Sequence, residues 1–286
     1  PCRYYKTNMK QLILLFLFTI SASAQIKGVV KDSITKQPIA YVSVWVENKN
    51  IGTTSEENGS FELNVSENES IIFSVFGYEN KTISVKNISE ILLIPKINEI
   101  EEVVITSSLK TKKQFYLPEP QNIPWLFARK FNLDKSNPDL KYLKELIYFT
   151  NSEVEKGIFR ARVFEVNEEG LPGDDLISEE IIVNVKKGKH KTIVDISKHN
   201  IQIPEKGIIV CFESLIVDQN KYVQVAYSLK PKKKYEYINY SPHIGYFHND
   251  NIETYNKRSG RWEIFSKEYN KKNNHPIPAI NITLSN

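Results

Sequence analysis

The segment Asn58-Gly59-Ser60-Phe61-Glu62-Leu63-Asn64-Val65 sets the reading of everything around it. Phe61, Leu63 and Val65 alternate with Ser60, Glu62 and Asn64, the period-two pattern of a half-buried strand. Asn58-Gly59 ahead of it is a hairpin signal, because glycine adopts the positive φ that tight turns need. The same alternation recurs on either side at intervals of about ten residues. Val42, Val44 and Val46 point one way, and Tyr41, Ser43 and Trp45 the other. Residues 71–76 are apolar on both faces and belong in the middle of a sheet. Runs at 26–30, 81–85, 91–94 and 103–105 bring the expected number to about seven short strands, a sandwich or barrel pattern.

The whole chain has 286 residues, of which 41% are hydrophobic and 25% charged, a globular composition. Its length suggests about two domains. The formal charge of +4 is concentrated at the start: the first 24 residues carry Arg3, Lys6 and Lys10 and no acid. Beyond them, 35 basic residues face 34 acidic ones, so charge gives no reason to expect a nucleic-acid partner. Two cysteines are too few for a disulfide scaffold or a four-cysteine zinc site. Cys211 stands in the apolar run Ile208-Ile209-Val210-Cys211-Phe212 and reads as a small core residue.

Met9-Lys10, an apolar run at 12–20 and Ser21-Ala22-Ser23-Ala24 have the form of a secretory signal peptide. The apolar run is about half the ~20 residues that a membrane-spanning helix requires. Cleavage is expected between Ala24 and Gln25, with residues 1–8 read as an upstream extension. The expectation is an exported protein of the periplasm, outer membrane or cell surface, with no transmembrane segment in its mature part.

Several motifs follow one another in a known order. They are Gly28-Val29-Val30-Lys31-Asp32, Pro38-Ile39-Ala40-Tyr41-Val42-Ser43-Val44, Gly52-Thr53-Thr54, Asn58-Gly59-Ser60-Phe61-Glu62-Leu63 and Ser74-Val75-Phe76-Gly77-Tyr78. This set resembles the carboxypeptidase D regulatory-like domain, and the resemblance implies a seven-stranded, transthyretin-like β-sandwich over residues 25–106. In that family the domain is an accessory module beside catalytic domains, receptors and adhesins, so peptidase activity is not implied. The five histidines also lack a His-x-x-Glu pair, which removes the zinc-peptidase pattern. Glu101-Glu102-Val103-Val104-Ile105-Thr106 is similar to the segment that follows such domains in TonB-dependent outer-membrane receptors, where it can pair as a strand with an energising partner. The plainer reading makes 103–105 the last strand of the sandwich.

Residues 107–122, rich in lysine and serine and followed by Pro124, read as a linker. Residues 25–109 carry a net charge of −5 and residues 110–286 one of +6, a complementarity that favours docking. Residues 123–286 are again β-rich, with strands expected at 159–167, 181–185, 192–196, 208–212, 222–227, 234–240, 262–265 and 280–284. The stretch 140–150 fits either a helix face or a strand, and a strand from about Glu145 is preferred. The expected architecture is therefore all-β: a transthyretin-like sandwich followed by a jelly-roll-like sandwich. The segments Phe159 to Asn167, Gly170-Leu171-Pro172-Gly173, Val194-Asp195-Ile196-Ser197 and Ile203-Pro204-Glu205-Lys206-Gly207 are similar to an uncharacterised domain found behind regulatory-like domains in secreted proteins of polysaccharide-degrading Gram-negative bacteria.

Motifs for chemistry are missing. There is no Gly-x-Ser-x-Gly elbow, phosphate loop or dinucleotide fingerprint. The acid pairs Glu168-Glu169, Asp174-Asp175 and Glu179-Glu180 read as solvated turns, and the lysines at 230 and 232–234 as a solvated loop. No catalytic residue, metal or cofactor is expected. Eleven aromatic residues fall between 222 and 269. Aromatic faces with nearby amides suit sugar rings, and the candidate ligand surface is Tyr235, Tyr237 and Asn239 on one strand face, with Arg261 and Trp262 adding to it. The expected function is a non-enzymatic binding module for a glycan or an outer-membrane protein partner. The alternative is a docking component of a TonB-dependent receptor-type complex.

Overall fold

The computed structural model describes residues 24–65, 69–85, 88–96, 123–132, 142–229, 232–248, 252–258, 260–265 and 276–285. The leader up to Ser23, the strand expected at 103–105, the linker at 107–122 and Tyr269 lie outside these residues. The first seven strands are β1 (Ala24–Asp32), β2 (Ser43–Val46), β3 (Gly52–Thr54), β4 (Ser60–Val65), β5 (Ser70–Ser74), β6 (Lys81–Ser84) and β7 (Glu90–Leu93). They form two sheets, β3-β2-β5-β6 and β4-β1-β7. Every pairing is antiparallel except β1 with β7. Gly59 has a φ of +76°, as the Asn-Gly turn requires, and a side chain there would strike the Val30 carbonyl. β4 alternates as its sequence indicates, with Phe61, Leu63 and Val65 buried. These three pack with Val30, Val44, Ile71, Phe73 and Ile91 in one core, where the Phe61 ring stands edge-on to Phe73 at 5.3 Å. Six of the seven expected strands stand among the described residues, the seventh, 103–105, lies outside them, and Gly52–Thr54 is a strand that was not expected. Three residues are too few to show alternation in the sequence.

Fifteen further strands follow among the described residues. They are β8 (Leu126–Phe131), β9 (Tyr142–Ser152), β10 (Gly157–Val166), β11 (Pro172–Asp175), β12 (Ile181–Val185), β13 (Gly188–Asp195), β14 (Ile208–Ser214) and β15 (Lys221–Leu229). The last seven are β16 (Lys232–Tyr240), β17 (His243–Ile244), β18 (Tyr246–His248), β19 (Thr254–Arg258), β20 (Arg261–Phe265), β21 (Pro276–Pro278) and β22 (Ile280–Ser285). A seven-stranded sheet runs β11-β10-β14-β8-β19-β20, with β12 also on β10. It faces a four-stranded sheet, β13-β9-β17 with β22 on β9, across a core that includes Phe131, Leu146, Tyr148, Phe159, Phe212 and Ile282. The chain is therefore all-β, built from packed sheets.

β9 begins at Tyr142, three residues earlier than expected. Its ladder with β22 shifts register between Thr283, opposite Glu145, and Leu284, opposite Leu143. This bulge at Lys144 lets both Leu143 and Leu146 face the core. A spacing of three is the spacing of a helix face, which is why the segment reads ambiguously.

The central strands of the seven-stranded sheet, β10 and β14, are buried on both sides. Phe159, Ala161 and Val163 of β10 and Ile208, Val210 and Phe212 of β14 enter the core just described. The alternating residues Phe164, Val166, Ile209 and Cys211 join a different cluster, with Leu126, Ala128, Tyr255 and Trp45 of β2. Trp45 is 1% exposed and its indole N–H donates to the Pro124 carbonyl at 3.0 Å. At the β19–β20 turn, Gly260 has a φ of +80° and approaches so closely that a Cβ would meet Ile72 Cδ1 at 2.7 Å. Cys211 is fully buried and free, in keeping with its apolar surroundings.

β15 and β16 form a separate ribbon, paired from Lys221 with Tyr240 to Leu229 with Lys232. Its base is held by Asn220. That amide accepts from Ile158 N–H and donates to the Ile158 and Leu215 carbonyls, each at 2.8 Å. The lysines expected in a loop are partly strand, because β16 starts at Lys232.

Trp45→Ala is expected to cost about 3–5 kcal/mol, as for other buried tryptophans, and to leave the Pro124 carbonyl without its donor. Ile51→Ala, at a residue 39% exposed, is expected to change stability by about 0.5 kcal/mol or less. Urea unfolding of the two variants checks the contrast.

Candidate functional site

β10 carries Arg160-Ala161-Arg162, so both guanidiniums project away from the Phe159 and Val163 side. On an outer sheet face they would be solvated. Here β2 and its neighbours cover that face, and Arg160 is 0% exposed. Its partner is Glu213, directly opposite on β14 and 1% exposed. Arg160 Nη1 lies 3.1 Å from Glu213 Oε1, and Nη2 lies 2.6 Å from Glu180. The same Nη2 donates to the Tyr41 carbonyl at 2.5 Å. Arg162 grips Asp175 with two bonds, of 2.9 and 2.6 Å, and stands 3.6 Å from the second Glu213 oxygen. The Ser43 hydroxyl donates to Glu213 Oε1. Burial alone would raise the Glu213 carboxyl, but Arg160, Arg162 and Ser43 reverse this and hold it below its usual value of 4.5.

Beside this network stands Lys257 of β19, 8% exposed. Among the described residues its ammonium has neither a carboxylate in ion-pair range nor a hydrogen-bond partner. It lies 5.3 Å from the centre of the Trp45 ring and 5.8 Å from that of Trp262. Burial, and then Arg162, pull its pKa down to about 8, while Glu213, Asp175 and Cys211 act the other way.

Lys257 lines a cleft of about 260 Å³ at the edge of the junction between the first seven strands and the seven-stranded sheet. One wall is Ser74, Val75, Tyr78 and Lys96. The other is Arg162, Phe164, Asp174, Asp175 and Trp262. The Trp262 ring stands edge-on to Phe164 at 5.5 Å. The Tyr78 hydroxyl donates to Asp32 at 2.8 Å, and burial together with that carboxylate pushes its pKa up to about 12. Lys96 pairs with Asp174 across the junction at 2.7 Å.

The residues proposed from sequence are not gathered in one place. Tyr235, Tyr237 and Asn239 do share one face of β16, on the ribbon. Asn239 is 0% exposed, however, and donates to Gln224 at 2.6 Å, so its amide is engaged within the ribbon. Arg261 and Trp262 belong to β20 of the seven-stranded sheet. As consecutive strand residues they face opposite ways, and Trp262 alone of the five lines the cleft. The outer face of the ribbon exposes Val223, Val225, Tyr227 and Ile238.

Arg160, Arg162, Glu213, Lys257 and Trp45 were not apparent as a group. Alternating Arg160 and Arg162 have the pattern of a polar outer face. The one hint is the unbroken apolar run from Ile208 to Phe212, within a strand buried along its whole length, which marks a strand covered on both sides. Asp175 is not a solvated turn residue, since Arg162 holds it largely out of water.

Residues 26–105 match the model of the CarboxypepD_reg-like domain, so the first seven strands carry a domain of that class. Among curated proteins, the TonB-dependent receptor SusC of Bacteroides thetaiotaomicron is 30% identical over an alignment of 116 residues, and the match covers 38% of this chain. The match spans 12% of the receptor's length. No helix among the described residues is long and apolar enough to cross a membrane, which says nothing of a β-barrel.

Glu213→Gln removes the anion between two buried guanidiniums and is expected to cost on the order of 3–5 kcal/mol. Because the folded carboxyl sits below 4.5, its contribution is full above that pH and is lost as pH falls through the lower folded value. Denaturation midpoints between pH 7 and 3 are expected to fall more steeply in the parent than in Glu213→Gln.

Proposed function

We propose that this protein is a non-enzymatic binding module of the cell envelope and that the junction cleft takes a sugar-sized ligand. The observation that carries the reading is the cleft itself, with Tyr78, Phe164 and Trp262 around a charged floor. Small-molecule sites run to roughly 300–1,000 Å³, so about 260 Å³ suits a single ring rather than a long chain. Aromatic walls offer stacking to the C–H face of a pyranose, and Asp174, Lys96 and Arg162 offer hydrogen bonds to its edge. A binding role also fits the chemistry of the floor. Asp174 and Asp175 are each engaged by a cation, so they are not a free converging pair of the kind that hydrolyses glycosides. The regulatory-like domain supplies one wall, which gives it a part in recognition beyond that of a spacer.

A glycan panel on the full mature protein tests this. Trp262→Ala is expected to weaken binding at least about tenfold, equivalent to about 1.4 kcal/mol. Tyr237→Ala, on the ribbon, is expected to leave binding unchanged. The reverse result would move the site to the ribbon.

A second reading rests on the receptor match: the protein is a docking component of a TonB-dependent receptor-type complex at the outer membrane. The exposed apolar face of the ribbon, including Val223 at 62% and Tyr227 at 71%, is the surface such a partner would cover. A photocrosslinker placed at Val223 or Tyr227 in cells is expected to capture a receptor of that class. Crosslinks to no such receptor from either position would remove this reading.

A further inference from the structure

We propose that the junction cleft is built for a ligand bearing one negative charge, a carboxylate or sulfate on a sugar-sized body, with Lys257 Nζ as its counter-ion. The inference rests on the binding role proposed above and names the class of ligand.

Three cations and two carboxylates line the cleft: Lys96, Arg162 and Lys257 against Asp174 and Asp175. The pairing among them is specific. Lys96 holds Asp174 at 2.7 Å, and Arg162 holds Asp175 with two bonds. Among the described residues Lys257 is left over, nine-tenths buried and without an ion-pair or hydrogen-bond partner, beside the rings of Trp45 and Trp262. A buried ammonium is costly unless it is paired, because the interior cannot replace its hydration. Glu213 and Asp175 act on it only from beyond ion-pair range, and both are already held by arginines. An anion entering the cleft would supply the missing partner. It would also find the Trp262 face alongside, so a charged group on a ring is matched by charge and by shape.

A purely structural role for Lys257, as a cation packed between two indoles, gives a different expectation. Then the lysine would support the fold and be indifferent to any ligand's charge. Lys257→Met, which keeps the volume and removes the charge, separates the two.

The test is calorimetric titration of the full mature protein with glucuronate and galacturonate, each beside glucose and galactose, at pH 7. The sulfated counterpart glucose 6-sulfate distinguishes a carboxylate from a sulfate requirement. Acidic sugars are expected to bind at least tenfold more tightly than neutral ones. Lys257→Met is expected to abolish that preference, to keep weak neutral binding, and to raise the melting temperature of the ligand-free protein. In the parent, the preference is expected to decline as pH rises through about 8, where free Lys257 loses its proton; Arg162, Glu213, Asp175 and Cys211 are the other ionisable groups that act on it. If Lys257→Met does not fold, this pH profile and the retained preference of Lys257→Arg decide the matter. Equal binding of acidic and neutral sugars overturns the anion inference and leaves a sugar site standing. A preference that survives in folded Lys257→Met also overturns it. Binding of none of the sugars by folded protein overturns both the anion inference and the sugar-site reading.

Discussion

Arg160 and Glu213 face each other across two strands in a place that water does not reach. Much of the remaining structure follows from that pair. A guanidinium with no exposure needs partners: Glu180 and the Tyr41 carbonyl accept hydrogen bonds from Arg160, and Glu213 lies within ion-pair distance of its Nη1, which itself makes no hydrogen bond among the described residues. The Tyr41 carbonyl belongs to the regulatory-like domain, as does the Ser43 hydroxyl on Glu213. The two parts of the chain therefore share one hydrogen-bonded network as well as an apolar seam around Trp45. A network of this kind favours one relative placement, because sliding either layer would strand buried charges.

The net charges of the two halves suggested attraction between opposite surfaces. The interface works differently. The acids and bases at its centre, Arg160, Arg162, Lys257, Glu213, Asp175 and Glu180, all come from the C-terminal part. The N-terminal part contributes neutral groups: a hydroxyl, a carbonyl and an indole face. The ion pair that crosses the junction at the cleft, Lys96 with Asp174, lies at its exposed margin, where such a pair contributes little.

Strands with a clean period of two were legible. β4, with Phe61, Leu63 and Val65, and β22, with Ile280 and Ile282, stand where their sequences place them. Strands buried on both faces were harder. β8 reads Leu126-Phe127-Ala128-Arg129-Lys130-Phe131, and its buried Arg129 breaks the apolar rhythm. β19 reads Thr254-Tyr255-Asn256-Lys257-Arg258 and looks like a loop, although Tyr255 and Lys257 are both buried. The site was legible only at Trp262. The others depend on register: nothing local says that Arg160 will stand opposite Glu213, fifty-three positions away, or that Lys257 will lie between Trp45 and Trp262. The aromatic density toward the C-terminus was real as composition but divided in space, among the ribbon, the β18–β21 pair and the β19–β20 end of the seven-stranded sheet.

The ribbon of β15 and β16 has a consequence for solubility. Within the described residues each strand pairs only with the other, so one long edge of each strand keeps backbone donors and acceptors unmatched. Open edges are templates for adding a further strand, which is how soluble β-proteins come to polymerise. Near the tip, Lys233 and Lys234 are exposed on successive positions of β16, one on each face. A second ribbon approaching edge to edge in register would bring like charges together on both faces at once. Lys233 and Lys234, which look in sequence like part of an unstructured basic loop, thus stand as guards of an open edge.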